Sequence, residues 1–159
     1  MRNSTIILNP EPKGVFKEGQ LAVAAYPGTF VTLKRSVTTL VGGRHTWEPF
    51  QTTQGADGDL NLTCVLYEDW GQGAMYNTQY AANSRFRGYC PLPGEELNCL
   101  LKDIAGTGDV HNFGEILEID AVSGKLIVST NAATLAKFQL LEQVGAISTD
   151  TWVWVQYLG

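Results

Sequence analysis

Apolar residues recur at alternate positions in short runs along most of the chain, and turn residues separate the runs. The clearest case is 60–67, where Leu60, Leu62, Cys64 and Leu66 fall on one face of an extended segment. The segments 20–26 and 29–34 flank Pro27-Gly28, and 37–41 ends at Gly42-Gly43. Further on, 116–120 and 126–129 flank Ala121-Val122-Ser123-Gly124, the pattern of a hairpin with a glycine-containing loop. Strands are also predicted at 137–144 and 149–157. In the last, Trp152, Trp154 and Gln156 share one face and Val153, Val155 and Tyr157 the other, so both faces need cover. The segment 95–103 fits either a strand or one to two helical turns. Two stretches, 42–59 and 68–86, lose the alternation, and irregular segments of that length in a compact domain tend to be functional or mobile.

These elements predict an all-β fold, a small single-domain barrel or sandwich of about seven to ten strands with long irregular loops. The 159 residues are enough for one domain with a sizeable core, and the 17 glycines and six prolines are spread as turn punctuation suits. Residues 1–14 form an extended N-terminal arm ahead of the β domain at 15–159. Pro10 and Pro12 exclude a helix there, yet Ile6, Ile7 and Leu8 are too apolar to stand in water. Two readings of the arm stand side by side: a first strand on the chain's own sheet, or a strand added to the sheet of a neighbouring subunit.

A net charge of −5, from 16 acidic and 11 basic residues, argues against nucleic acid as a partner, because that affinity rests on Lys and Arg. No apolar run approaches the roughly 20 residues of a membrane span. No signal peptide is recognisable, and three cysteines (Cys64, Cys90, Cys99) cannot all pair. Free, buried thiols and no disulfide are therefore expected, in a protein made in the cytoplasm.

The candidate chemistry is thin. His45 or His111 beside Cys90 or Cys99 would be needed for a thiol nucleophile, and the cysteine spacing builds no zinc site. Asp57-Gly58-Asp59 begins like a calcium loop but lacks the later ligands. The carboxylate pairs Glu68–Asp69 and Glu95–Glu96 need a shared cleft to act as acid and base. Gly106-Thr107-Gly108-Asp109 lacks the rest of either phosphate-binding pattern. The run 114–120 echoes the strand before the modified lysine of biotinyl carrier domains, but Lys125 lies beyond the turn. No enzyme activity, cofactor or metal is expected. The aromatic stretch, with Trp70, Met75, Tyr76 and Tyr80 among small residues, supplies candidate anchors for a partner surface.

The order of pieces from Pro91-Leu92-Pro93-Gly94-Glu95-Glu96-Leu97, through the Gly106–Asp109 loop, 114–120 and Ser123-Gly124-Lys125-Leu126, to Asp150-Thr151-Trp152-Val153-Trp154-Val155 resembles head decoration, or cement, proteins of tailed bacteriophages. The resemblance implies a structural virion protein on the outer capsid surface. Its partners would be the major capsid protein and itself, as a homotrimer. The binding residues would then be the arm (Ile6, Ile7, Leu8, Pro10) and the aromatic anchors. The alternative is a virion attachment or carbohydrate-binding module that uses the aromatic loop as a sugar platform.

Overall fold

The computed structural model describes residues 6, 8, 12–33, 46–49, 64–68, 77–102, 110–120, 122–129, 137–147 and 149–159. Among them the protein is all-β, as its alternation predicts, with no helix. The strands are β1 (Val15–Leu21), β2 (Phe30–Leu33), β3 (Thr46–Pro49), β4 (Cys64–Tyr67), β5 (Arg85–Cys90), β6 (Glu96–Leu101), β7 (Ile116–Ile119), β8 (Leu126–Val128), β9 (Lys137–Leu140) and β10 (Thr151–Tyr157). The ambiguous segment at 95–103 resolves as strand β6, because its apolar residues find cover on both faces.

The ladders close into two barrels, β1-β3-β2-β4-β5 and β10-β6-β8-β7-β9. Each barrel uses consecutive strands, and within each the order is the same: first, third, second, fourth, fifth. Each has one parallel pair, β1 with β3 and β6 with β8, and antiparallel pairing elsewhere. The correspondence extends to single hydrogen bonds. Gly28 N donates to Leu66 O (2.9 Å) and Leu66 N to Thr29 O (2.8 Å); Gly114 N donates to Leu140 O (2.8 Å) and Leu140 N to Glu115 O (2.9 Å). Isolated bridges, Ala25 with Tyr80 and His111 with Val144, sit at matching places before these glycines. The chain is a structural tandem, and Gly28 and Gly114 are equivalent turn positions with φ of 83° and 87°.

Alternation on the strands decides which core each side chain joins. Val31, Cys64, Leu66, Phe86 and Cys90 point inward and fill the first barrel with Leu21, Ala25 and Tyr80. Their neighbours Phe30, Val65 and Tyr89 point outward, into the core shared with the second barrel's Cys99, Leu117, Phe138, Val153 and Val155. The seam is close. Phe30 and Phe138 lie 4.8 Å apart between ring centroids, and Phe30 N donates to Gly124 O at 2.7 Å. Trp152 lies over Gly28, where an added Cβ would come 2.5 Å from the indole.

One expectation is corrected here, and of the two readings of the arm its described residues meet one. Cys64 and Cys90 form a disulfide. The ladder that sets Val65 opposite Tyr89 puts Cys64 opposite Cys90, and the odd count means only that Cys99 is left, buried in the second barrel. The arm belongs to its own chain: Ile6 is fully buried in the shared core, Asn98 N donates to Ile6 O (2.8 Å) and Leu8 N to Glu96 O (3.1 Å). The first half of β6 carries β10 on one side only, so its other side was open to receive the arm.

Candidate functional site

Two turns meet at the seam. The first, at Pro27-Gly28, carries Val23 to Tyr26 ahead of it. The second joins β7 to β8 and is shaped by Asp120, whose Oδ2 accepts from Lys102 Nζ (2.8 Å), Ser123 N (3.1 Å) and Ser123 Oγ (2.5 Å). Burial pushes the Asp120 carboxyl up, but these hydrogen bonds and the Lys102 charge outweigh it and hold its pKa below the ordinary range. Between the turns lies an open cleft of about 240 Å³, with Val23, Ala25, Tyr26, Gln79, Val122 and Lys125 in its lining.

The cleft's polar groups are largely committed. Thr29 Oγ1 donates to Tyr26 O (2.7 Å), Ser123 Oγ to Asp120, and Lys125 Nζ to Asp150. They hold the walls in shape. What faces solvent is mixed: Val23 is 45%, Tyr26 39% and Val122 83% exposed, with the exposed Gln79 beside them. Such a surface suits contact by area burial with a few hydrogen bonds, and offers no nucleophile–base pair in its lining. Sequence reasoning missed Val23 and Val122, since nothing in a short alternating run says which apolar residue lacks cover.

Of the anchors expected from sequence, Tyr80 is not one. It is 3% exposed, lies in the first barrel's core, and its hydroxyl donates to Tyr67 O at 2.6 Å. Trp70, Met75 and Tyr76, with Ile7 and Pro10 of the arm, lie outside the described residues. Ile6 is buried in the intrachain core, and Leu8, tied to β6 through its backbone, has a half-buried side chain.

The remaining chemical candidates separate. Cys90 is disulfide-bonded and cannot serve as a thiolate. Burial pushes the Cys99 thiol well up, which makes it inert. His111 Nδ1 lies 3.0 Å from Glu115 Oε2, and its backbone bridges Val144, so it fastens a turn. Glu95 and Glu96 serve different neighbours. Glu96 Oε2 accepts from Trp154 Nε1 (3.1 Å). Glu95 is buried where the linker between barrels meets the segment before β1. Its Oε1 accepts from Tyr89 Oη (2.6 Å), Lys13 N (2.6 Å) and Gly14 N (3.3 Å), and its Oε2 from Leu92 N (2.7 Å). Burial works against the charge on Glu95, yet those donors lower its pKa on balance, while burial first and the Glu95 bond second push Tyr89 up to about 12. That network is a clamp, not an acid–base pair. No group of His, Cys, Asp and Glu side chains suited to a metal occurs among the described residues. Compared with known proteins, the chain matches no family model and no curated protein.

Proposed function

We propose that the protein is a structural virion component that decorates the outer surface of an icosahedral phage capsid, binding the major capsid protein and assembling as a homotrimer. The observation that carries the reading is the order of motifs from residue 91 to 155. The described pieces of that order are not scattered: they supply β6, β7, the turn before β8, and β10 of a single barrel. The apolar residues around the seam cleft, Val23, Tyr26 and Val122, support it as a surface that binds by shallow burial. Such contacts stabilise by about 25 cal/mol per Å² at best, less the cost of association, so a symmetric assembly that engages several sites at once would raise avidity.

The test is co-sedimentation of the purified protein with expanded, decoration-free capsids. Saturable binding, weakened at least tenfold by Val122→Asp with unchanged thermal unfolding, is the expected result. Glycan-array binding without capsid retention would replace this reading with the attachment module.

A further inference from the structure

Superposing the ladders of the two barrels shows what the disulfide replaces. Val31 corresponds to Leu117, which pairs with Phe138 as Val31 pairs with Cys64. Phe138 in turn pairs with Tyr157, the position of Cys90. The second barrel therefore closes its fourth and fifth strands with two aromatic rings, 5.1 Å apart between centroids. The first barrel closes the same strands with the Cys64–Cys90 bond. The neighbouring inward positions follow suit. Gly19 and Gly88 stand in the first barrel where Cys99 and Val155 stand in the second. At Gly88 no larger residue fits the present packing, since an added Cβ would meet the Phe86 ring at 2.9 Å. At Gly19, Cys64, Gly88 and Cys90 the first barrel has less apolar volume than its twin, offset in part by Phe86 where the twin has Val153, and it has a covalent cross-link besides. Among the described residues β4 is held to β2 by two residue pairs and the bonds of Leu66 to Gly28 and Thr29, and to β5 by three residue pairs and the disulfide.

We infer that Cys64–Cys90 is a redox latch on the first barrel, which the second barrel does not share. In the reduced state β4 separates from β5; in the oxidised state the seam is shut. The chemistry is thiol–disulfide exchange. A thiolate of a dithiol reductant attacks the Cys90 sulfur, breaks its bond to Cys64, which leaves as a thiolate, and forms a mixed disulfide with Cys90. Its second thiolate then displaces the other protein thiolate. The reductant leaves as a cyclic disulfide, and Cys64 and Cys90 each gain a proton. A low-molecular-weight disulfide reverses the change. Cys90 is the point of attack, at 7% exposure against none for Cys64. Cys99 is fully buried, in the other cluster, with its thiolate suppressed, so it does not join the exchange. This inference is independent of the virion reading.

Hydrogen exchange on the full chain, with and without dithiothreitol, tests it. Reduction is scored by a mass gain of two hydrogen atoms, about 2 Da, and by three titratable thiols in place of one after denaturation. On reduction, the amides of β4 and β5 should lose at least tenfold in protection while those of β9 and β10 keep theirs. Equal loss in both barrels, or none, overturns the latch, as does a bond that dithiothreitol does not reduce in the folded protein. The double variant Cys64→Ala with Cys90→Ala should show the reduced pattern and ignore the reductant. If that variant does not fold, the comparison of oxidised and reduced native protein still decides.

Discussion

Gly28 and Gly114 are the same residue of a repeated unit, with nearly the same left-handed φ, and they differ in what stands over them. A Cβ at Gly114 meets only the Gln139 amide, 3.9 Å away, whereas one at Gly28 runs into Trp152. Gly114→Ala should therefore cost about 1–2 kcal/mol, the price of a non-glycine residue at positive φ. Gly28→Ala should cost about 1–3 kcal/mol more through overpacking, and chemical denaturation of the two variants measures the difference. Loss of equal size in both would mean that Trp152 is not seated on Gly28. The Glu95 clamp sets the pH limits. A carboxyl whose folded pKa is lowered contributes stability above the ordinary carboxylate range and loses it as pH falls through the lowered value; Asp120 acts in the same direction. Tyr89, raised to about 12, contributes below pH 10 and loses that contribution between 10 and 12. Glu95→Ala leaves the Tyr89 hydroxyl without its acceptor and strands the backbone N–H groups of Lys13 and Leu92, while Gly14 N keeps its bond to Tyr89 Oη, and should destabilise by about 3 kcal/mol. Its acid limb of stability against pH should be flatter than that of the parent, and an unchanged limb would assign acid sensitivity elsewhere.

At the scale of elements, the strands were legible where alternation is strict. The hairpin at β7 and β8, the strand β10 with its two covered faces, and β4 all follow from period-2 patterning and turn residues. The arm was legible only as a choice, because three apolar residues before a proline look the same whichever sheet they join. Its place beside β6 depends on a gap in a ladder some 90 residues away. Ile6→Ala should therefore cost about 2–4 kcal/mol in the isolated protein, read by thermal or urea unfolding. An unaltered midpoint would return the arm to the role of a contact with another subunit. The disulfide was hidden for the same reason. Pairing is set by register between β4 and β5, and counting cysteines says nothing about register. Tyr80 misled because an aromatic among small residues reads alike in a loop and in a core. The tandem was illegible altogether. Equivalent strands share pattern and geometry but few residues, as Cys64 against Phe138 shows, so the repeat lies in the ladders and not in the letters.

At the scale of the molecule, the two barrels meet through different faces, so the contact does not repeat itself. The first presents Phe30, Val65 and Tyr89 to the shared core, and their equivalents on the second barrel are Ile116, Gln139 and Gln156, all partly exposed. A head-to-tail contact of this kind would extend into a filament if both ends stayed apolar. On the second barrel that face carries two glutamines instead, and the first barrel's outer strands carry the exposed Arg85–Glu18 ion pair. Restoring the apolar face with Gln139→Val and Gln156→Tyr should make the protein self-associate in sedimentation velocity, and a species that stays at the parent's size would show that this face does not limit growth. The arm's place beside β6 has a further consequence for how the protein meets other chains. A strand looking for a template needs a row of unpaired N–H and C=O groups; the arm covers such a stretch on β6, whereas the matching stretch of β1, from Val15 to Gly19, carries β5 on one side and no partner on the other among the described residues. The repeat thus leaves bare on β1 the edge that the arm covers on β6, and an added strand would find its template there.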